Sequence, residues 1–340
     1  MPITIKDIAR AAGVSHTTVS RALHDHPAIS AETIAEIKQL AAKMGYVPSA
    51  TARGLKTRRT RAFGVIVSHI DDPFWMEVVQ GIDEILHPAG YSLFMAATHR
   101  DKQREKEVVQ AMVQRGVDGV ILCAPQFSSD QSRVMQSYGL PMVIVNNEGT
   151  SDSPFLVYND DVYGSRLLTR HLIDLGHRRI VYLGNQVGGR TTIEREAGFR
   201  EGMRAAGLAV PEQGVIMAPE GTPFGGYVGT RQILALAERP TAIVCYNDNM
   251  AIGVYSALHE SGLRIPDDMS ITGYDDITMA AYLFPPLTTL RQFKRELGQS
   301  AASMMLRVLD TRDHGEPQPD KITFEGELVI RASTVAVSDG

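Results

Sequence analysis

The sequence predicts an all-α helix-turn-helix head, a short connector and an α/β core of two doubly wound, parallel-sheet halves. Three observations carry that prediction. Residues 4–45 hold three short amphipathic segments, each opening on a Ser or Thr. From Ala62 onward, apolar runs alternate with helical stripes. The charge is also unevenly divided. Residues 1–61 carry ten Lys or Arg against four Asp or Glu, whereas the 340-residue chain has a net charge of −5.

Thr4 opens the first segment with Asp7 at its third helical position, an approximate capping box. Ile5, Ile8, Ala9 and Ala12 form its apolar stripe, and Gly13 ends it. Ser15 caps a second helix reaching Leu23, with Val14, Val19 and Leu23 on its buried side. Only Gly13, Val14 and Ser15 separate the two, which is the helix-turn-helix spacing. Ser30 caps a third helix, with Ile34, Ile37, Leu40, Ala41 and Met44 on one face and Gly45 at its end. The second helix then turns His16, Thr17, Ser20 and Arg21 outward. A rod about 10–12 Å thick fits a major groove about 12 Å wide. A plain bundle with a polar surface fits the sequence less well, because the head is cationic and no acid occurs from Val47 to Arg61, where five cations do.

The stretch VPSATARGLKTRRTR, residues 47–61, could be a simple tether. Yet Ser49 can cap a short helix through Arg53 to Leu55, marginal by itself in water. An exposed Leu55 beside Arg53 and Lys56 suits a wedge in a minor groove. Such a wedge predicts that Leu55→Ala weakens duplex binding and reduces bending.

In the core, the runs AFGVIVSHI, YSLFMAAT, GVDGVILC, PMVIVNN, RRIVYLG, TAIVCYND and MSITGYDD read as buried parallel strands. Helical stripes over 75–86, 105–114, 163–175, 194–206 and 250–261 alternate with them. The two sets, about 62–160 and 161–290, suggest two subdomains. Asn146 and Asn147, Asn247 and Asp248, and Asp275 and Asp276 stand at the carboxyl ends of strands, where ligands bind in open sheets. About half of such residues cap the next helix instead, and Asp248 is the expected cap of the helix near Met250.

Several classes are disfavoured. GNQVGGR lacks the dinucleotide glycine spacing, and no P-loop, GxSxG or HExxH motif occurs. His99, His171 and His177 are dispersed, so neither metal nor cofactor is expected. Cys123 and Cys245 sit in apolar runs, as small buried hydrophobes of a reducing compartment. No run approaches the ~20 apolar residues of a membrane helix, and MPITIKDIAR has no signal core. A cytoplasmic, nucleoid-associated location follows as an expectation.

TIKDIARAAGVSHTTVSRAL followed by GYVPSATARGLK resembles the head of the lac repressor (LacI/GalR) family, especially its purine-repressor branch. GYDD and PPLTTL extend the likeness over almost the whole chain. The resemblance implies a homodimeric, effector-controlled transcription regulator, most simply a repressor, on pseudo-palindromic double-stranded DNA. It implies a core like type I periplasmic binding proteins, the first subdomain regaining about 291–322 and the second about 323–337. His16, Thr17 and Arg21 take base-reading positions, with His16 replacing a familiar Tyr or Thr. Ser15, Thr18 and Ser20 would grip phosphates, while Ser49, Arg53, Leu55 and Lys56 belong to the hinge segment, Leu55 as its intercalating leucine.

The same resemblance places an effector among Phe74, Trp75, Arg195, Asn247 and Asp275, with Asn146 and Thr192 as weaker members. Charged groups beside an aromatic face suit a polyol, so a sugar is expected. The purine-binding branch has an aromatic clamp where this chain has Gly221, with Phe224 displaced from it. A purine-responsive regulator is the alternative effector reading. A solute-binding protein is opposed by the basic head and missing signal. A sugar-processing enzyme using Asp275 and Asp276 is opposed by their adjacency on a strand, which points them to opposite faces. The ending ELVIRASTVAVSDG carries no leucine heptads, so a dimer is expected and not a coil-linked tetramer.

Overall fold

Local chemistry shapes the head as expected. In the computed structural model, which describes residues 3–46, 59–124, 129–146, 155–312, 315 and 318–337, α1 spans Ile5–Ala12, α2 His16–Leu23 and α3 Ala31–Lys43. The Thr4 backbone N–H and hydroxyl donate to the Asp7 carboxylate at 3.0 and 2.7 Å. Gly13, at φ 65°, takes the left-handed conformation that ends α1. The Ser15 hydroxyl accepts from the Thr18 N–H, and that of Ser30 from the Thr33 N–H. Ile8, Ala9, Val19, Ala22, Ile37 and Ala41 form the buried centre of the three helices. Val14 and Leu23 pack against its edge, so Ala22 and not Leu23 is the innermost residue of the last turn of α2.

Residues 1–60 and 61–340 form separate compact units. The second contains two six-stranded sheets. The first has the order β11-β5-β4-β3-β1-β2, all parallel, with β1 at Ala62–Val67, β2 at Ser92–Ala97, β3 at Gly119–Cys123, β4 at Met142–Val145, β5 at Phe155–Asn159 and β11 at Asp320–Phe324. The second has the order β12-β10-β9-β8-β6-β7, with β6 at Ile180–Asn185, β7 at Val215–Ala218, β8 at Ala242–Cys245, β9 at Ser270–Asp275, β10 at Thr288–Arg291 and β12 at Glu327–Val329. Only β12 there runs antiparallel to its neighbour. All six residues of β1 are buried, as a strand covered on both faces requires.

The helices alternating with these strands are α4 (Pro73–Leu86), α5 (Lys102–Arg115), α6 (Ser129–Ser137), α7 (Asp161–Asp174), α8 (Arg190–Ala205), α9 (Pro223–Leu234), α10 (Asp248–Glu260) and α11 (Lys294–Arg312). The chain passes between the lobes after β5, after β10 and between β11 and β12. Strand β11 keeps Thr323 and Phe324 in the first sheet, beyond the expected boundary at 322, and β10 keeps Arg291 in the second. The returning α11 seats on α4 backbone to backbone. A Cβ on Gly81 would strike the Arg295 carbonyl, and one on Gly298 the Val78 carbonyl. That contact fixes α4, whose first turn carries Phe74 and Trp75.

Ser49, Arg53, Leu55, Lys56 and Asn147 lie outside the described residues. Cys123 and Cys245 are buried free thiols, and burial pushes both pKa values up. No described helix is long and apolar enough to cross a membrane.

Candidate functional site

On the head, α2 exposes His16, Thr17 and Arg21 to solvent, with Thr18 and Ser20 half-buried beside them. Ser15 is exposed, but its hydroxyl is occupied: it accepts from the Thr18 backbone and lies 2.8 Å from the Thr18 hydroxyl. The helix therefore offers an imidazole, a hydroxyl and a guanidinium over a capped, positively polarised first turn.

In the core, one cleft gathers residues from the carboxyl ends of both sheets. Asp72, Phe74, Trp75, Arg100 and Asn146 come from the first lobe. Asn185, Thr191, Arg195, Gly221, Tyr246, Asn247 and Asp275 come from the second. Six expected residues thus meet: Phe74, Trp75, Asn146, Arg195, Asn247 and Asp275. Thr192 does not line the cleft. Its hydroxyl donates to the Asn185 carbonyl at 2.6 Å, and its neighbour Thr191 faces the cavity. One residue on a helix turns a side chain by about 100°, and only the docking of α8 decides which of the two threonines faces in.

Arg195 is the electrostatic centre. It is 4% exposed; its Nε donates to Asp161 Oδ1 at 2.9 Å and its Nη1 to the Tyr246 carbonyl at 2.7 Å. Nη2 lies 3.6 Å from Asp275 Oδ1, and the guanidinium sits 3.8 Å from the centre of the Tyr274 ring. Burial opposes its charge, but Asp161 and Asp275 hold its pKa well above the ordinary value. Asp275 accepts from Gln292 Nε2, and burial pushes its carboxyl well above the usual range against the pull of Arg195. Asp276 turns away to Arg291 at 2.8 Å and Arg331 at 2.7 Å, which outweigh burial and lower its pKa. The two adjacent carboxylates do not share a site.

The remaining walls are also built from strand ends. Asp72 caps α4 by accepting the Phe74 N–H, and burial raises its pKa. The Phe74 and Trp75 rings meet edge to face at 4.9 Å. Asn146, at φ 51°, accepts from the backbone and side chain of Asn159. Asn247, not Asp248, caps α10: its Oδ1 accepts the Met250 N–H while its Nδ2 donates to the Gly221 carbonyl. Asp248 is the first helical residue and is wholly buried, bonded to Thr289 and the Ile277 N–H. Phe224 is 64% exposed and outside the cleft.

Asp72, Arg100, Asn185, Thr191 and Tyr246 escaped the sequence reading. Asp72, Asn185 and Tyr246 were within reach of the strand-end rule, because each lies at or shortly after a strand's carboxyl end. Arg100, three residues past the end of β2 in the turn before α5, was within reach of the same rule. No group of described residues has the makings of a metal site.

A helix-turn-helix head ahead of a two-lobed, cleft-bearing α/β core defines a ligand-responsive DNA-binding regulator. The chain belongs to the lacI family of bacterial regulatory proteins. Residues 4–49 match that family, and residues 169–334 match the periplasmic binding protein-like domain. Among curated relatives, the HTH-type transcriptional repressor PurR of Haemophilus influenzae (strain PittEE) is 34% identical over 336 residues, covering 98% of this chain and 99% of the relative. The PurR repressor of Mannheimia succiniciproducens is likewise 34% identical, over 98% and 99%. Among solved structures, the lac repressor dimer bound to operator and an anti-inducer matches with TM-score 0.86 and 26% identity, over 99% of this chain and 100% of that one. The regulator CelR in complex with cellobiose matches with TM-score 0.74 and 27% identity, over 97% and 99%.

Proposed function

We propose that this chain is an operator-binding repressor whose core cleft takes a sugar. The observation that carries the reading is the Arg195 network: a buried cation held between Asp161 and Asp275, facing a cleft walled by amides, carboxyls and the Phe74–Trp75 pair. Such groups match a polyol, with charge-assisted bonds to hydroxyls and a flat ring for the C–H face. The cellobiose-bound relative supports a sugar. The PurR relatives favour a purine instead. Against that, a Cβ at Gly221 would already sit 2.9 Å from Asn185 Nδ2 and 3.3 Å from Asn247 Nδ2, so amides occupy the place of the aromatic clamp.

The cleft, about 70 Å3, opens partly to solvent between the lobes. In this reading a sugar binds two arrangements of the lobes unequally and shifts the population between them. In this reading residues 1–47 bind DNA through Ser15, His16, Thr17, Thr18, Ser20 and Arg21. Residues 48–61 reach the minor groove through Ser49, Arg53, Leu55 and Lys56. The chain acts in the cytoplasm as a homodimer, and the sugar releases the operator. A thermal-shift screen of the full chain against sugars and nucleobases tests the effector, because a ligand of the folded state raises its melting temperature. Shifts with sugars are expected; a shift with hypoxanthine or guanine and none with sugars reverses the assignment.

A further inference from the structure

The cleft holds two guanidiniums in opposite circumstances. Arg195 is charge-paired, with Asp161 and Asp275 beside it and the Tyr246 carbonyl accepting from it. Arg100, in the opposite lobe, lines the same cleft with its Nε buried and without a hydrogen-bond partner. Among the described residues no carboxylate lies within ion-pairing distance of it. Asp72 shares its wall and its carboxyl feels the Arg100 charge, but no ion pair joins the two, and the same carboxyl accepts the Phe74 N–H. Natural structures rarely leave a buried guanidinium donor idle, since Arg has five N–H groups and no acceptor.

The backbone at this point is strained as well. His99 and Arg100, at φ 50° and 58°, are two successive non-glycine residues in the left-handed region. The corner is pinned from both sides. The Thr98 and His99 N–H groups donate to the Val67 and Ser68 carbonyls, and Asp101 caps α5 by accepting the Arg104 N–H at 2.7 Å. Strain kept in place by its surroundings, beside a cleft, marks a functional position. Here it delivers to the cavity a cation without an ion-pair partner among the described residues.

We propose that Arg100 recognises an anionic group on the effector, so that the ligand is an acidic sugar: a phosphate monoester or a sugar carboxylate. This rests on the sugar reading above and narrows it. A guanidinium fork matches the two oxygens of either group and discriminates strongly against a neutral hydroxyl. The polyol part then falls to Arg195, Asp275 and Asn247, across the cleft from Arg100.

Isothermal titration calorimetry on the full chain tests this with paired probes: ribose against ribose 5-phosphate, glucose against glucose 6-phosphate, and glucose against gluconate, with inorganic phosphate alone beside them. At least one acidic sugar should bind about 10- to 100-fold tighter than its neutral parent. The phosphate and carboxylate arms separate the two sources of charge. Arg100→Gln should collapse that ratio towards one, and Arg100→Lys should retain part of it. Equal affinity of the wild-type chain for neutral and acidic sugars overturns the proposal while leaving the sugar reading intact; this needs no variant to fold. A ratio that survives Arg100→Gln also overturns it. Binding of hypoxanthine or guanine with no sugar of either kind brings down both.

Discussion

Arg195 Nε donates to Asp161 Oδ1 at 2.9 Å, with the two side chains 5% and 1% exposed. Asp161 is the first residue of α7 and Arg195 lies on α8, so the pair ties two helices together beneath the cleft floor. Removing one partner strands the other's charge in a low-dielectric setting. Arg195→Ala should lower stability by about 3–5 kcal/mol, read as a shift in the urea midpoint, besides abolishing sugar binding. A loss below about 1 kcal/mol would mean that the carboxylates take up protons at no cost, and that the network is not the frame described here.

Gly221 sits where a side chain would meet two amides, Asn185 and Asn247. Its φ is not positive, so space and not backbone conformation decides a substitution. Gly221→Phe should displace both amides and weaken sugar binding at least tenfold, measured by calorimetry. A variant that gained purine binding and kept its sugar affinity would show that this edge of the cleft does not set specificity.

Asp248 supplies a pH test. Burial pushes its carboxyl from an ordinary 3.8 up to about 7, against the hydrogen bonds from Thr289 and Ile277. The folded state then holds a proton that the unfolded chain has lost. Its contribution is fully present below pH 3.8 and disappears as the pH rises through about 7. The wild-type chain should therefore lose stability relative to Asp248→Asn across that window, by at most about 1.4 kcal/mol per pH unit. Parallel melting curves from pH 4 to 7 would place the carboxyl at its ordinary value.

The head separates reading from folding. His16 and Thr17 are exposed on α2, whereas Ile8 is fully buried on α1. Alanine at His16 or Thr17 should change the melting of the head by less than about 0.5 kcal/mol. Each should cost about 1–3 kcal/mol of discrimination on a duplex selected from a random pool, measured by fluorescence anisotropy at fixed salt. Ile8→Ala should instead destabilise the head by about 2–5 kcal/mol. Unaltered base preference in both surface variants would exclude α2 as the reading helix.

The elements legible in the sequence were those written in local chemistry. Thr4, Ser15 and Ser30 opened helices because a hydroxyl reaches only the next turn's N–H groups. Most of the long apolar runs became central strands because burial on both faces leaves no other composition, but YSLFMAAT forms the edge strand β2, where Phe94 and Met95 are exposed. Strands β5, β7, β10, β11 and β12, of three to five residues, were missed, as were α6, α9 and α11. The short strands carry too few residues for a period, and α11 is recruited to the first lobe only by its seat on α4.

The sequence by itself determined the head, the alternation of strand and helix, and the strand ends where a ligand site would form, since caps, periods and charge act over a few residues. Only the tertiary structure decided that Thr191 and not Thr192 faces the cleft, that Asn247 and not Asp248 caps α10, and that Arg100 and Arg195 line one cleft from opposite lobes. Those choices depend on how packed elements rotate and close upon one another, a relation between residues up to a hundred positions apart that no local pattern encodes.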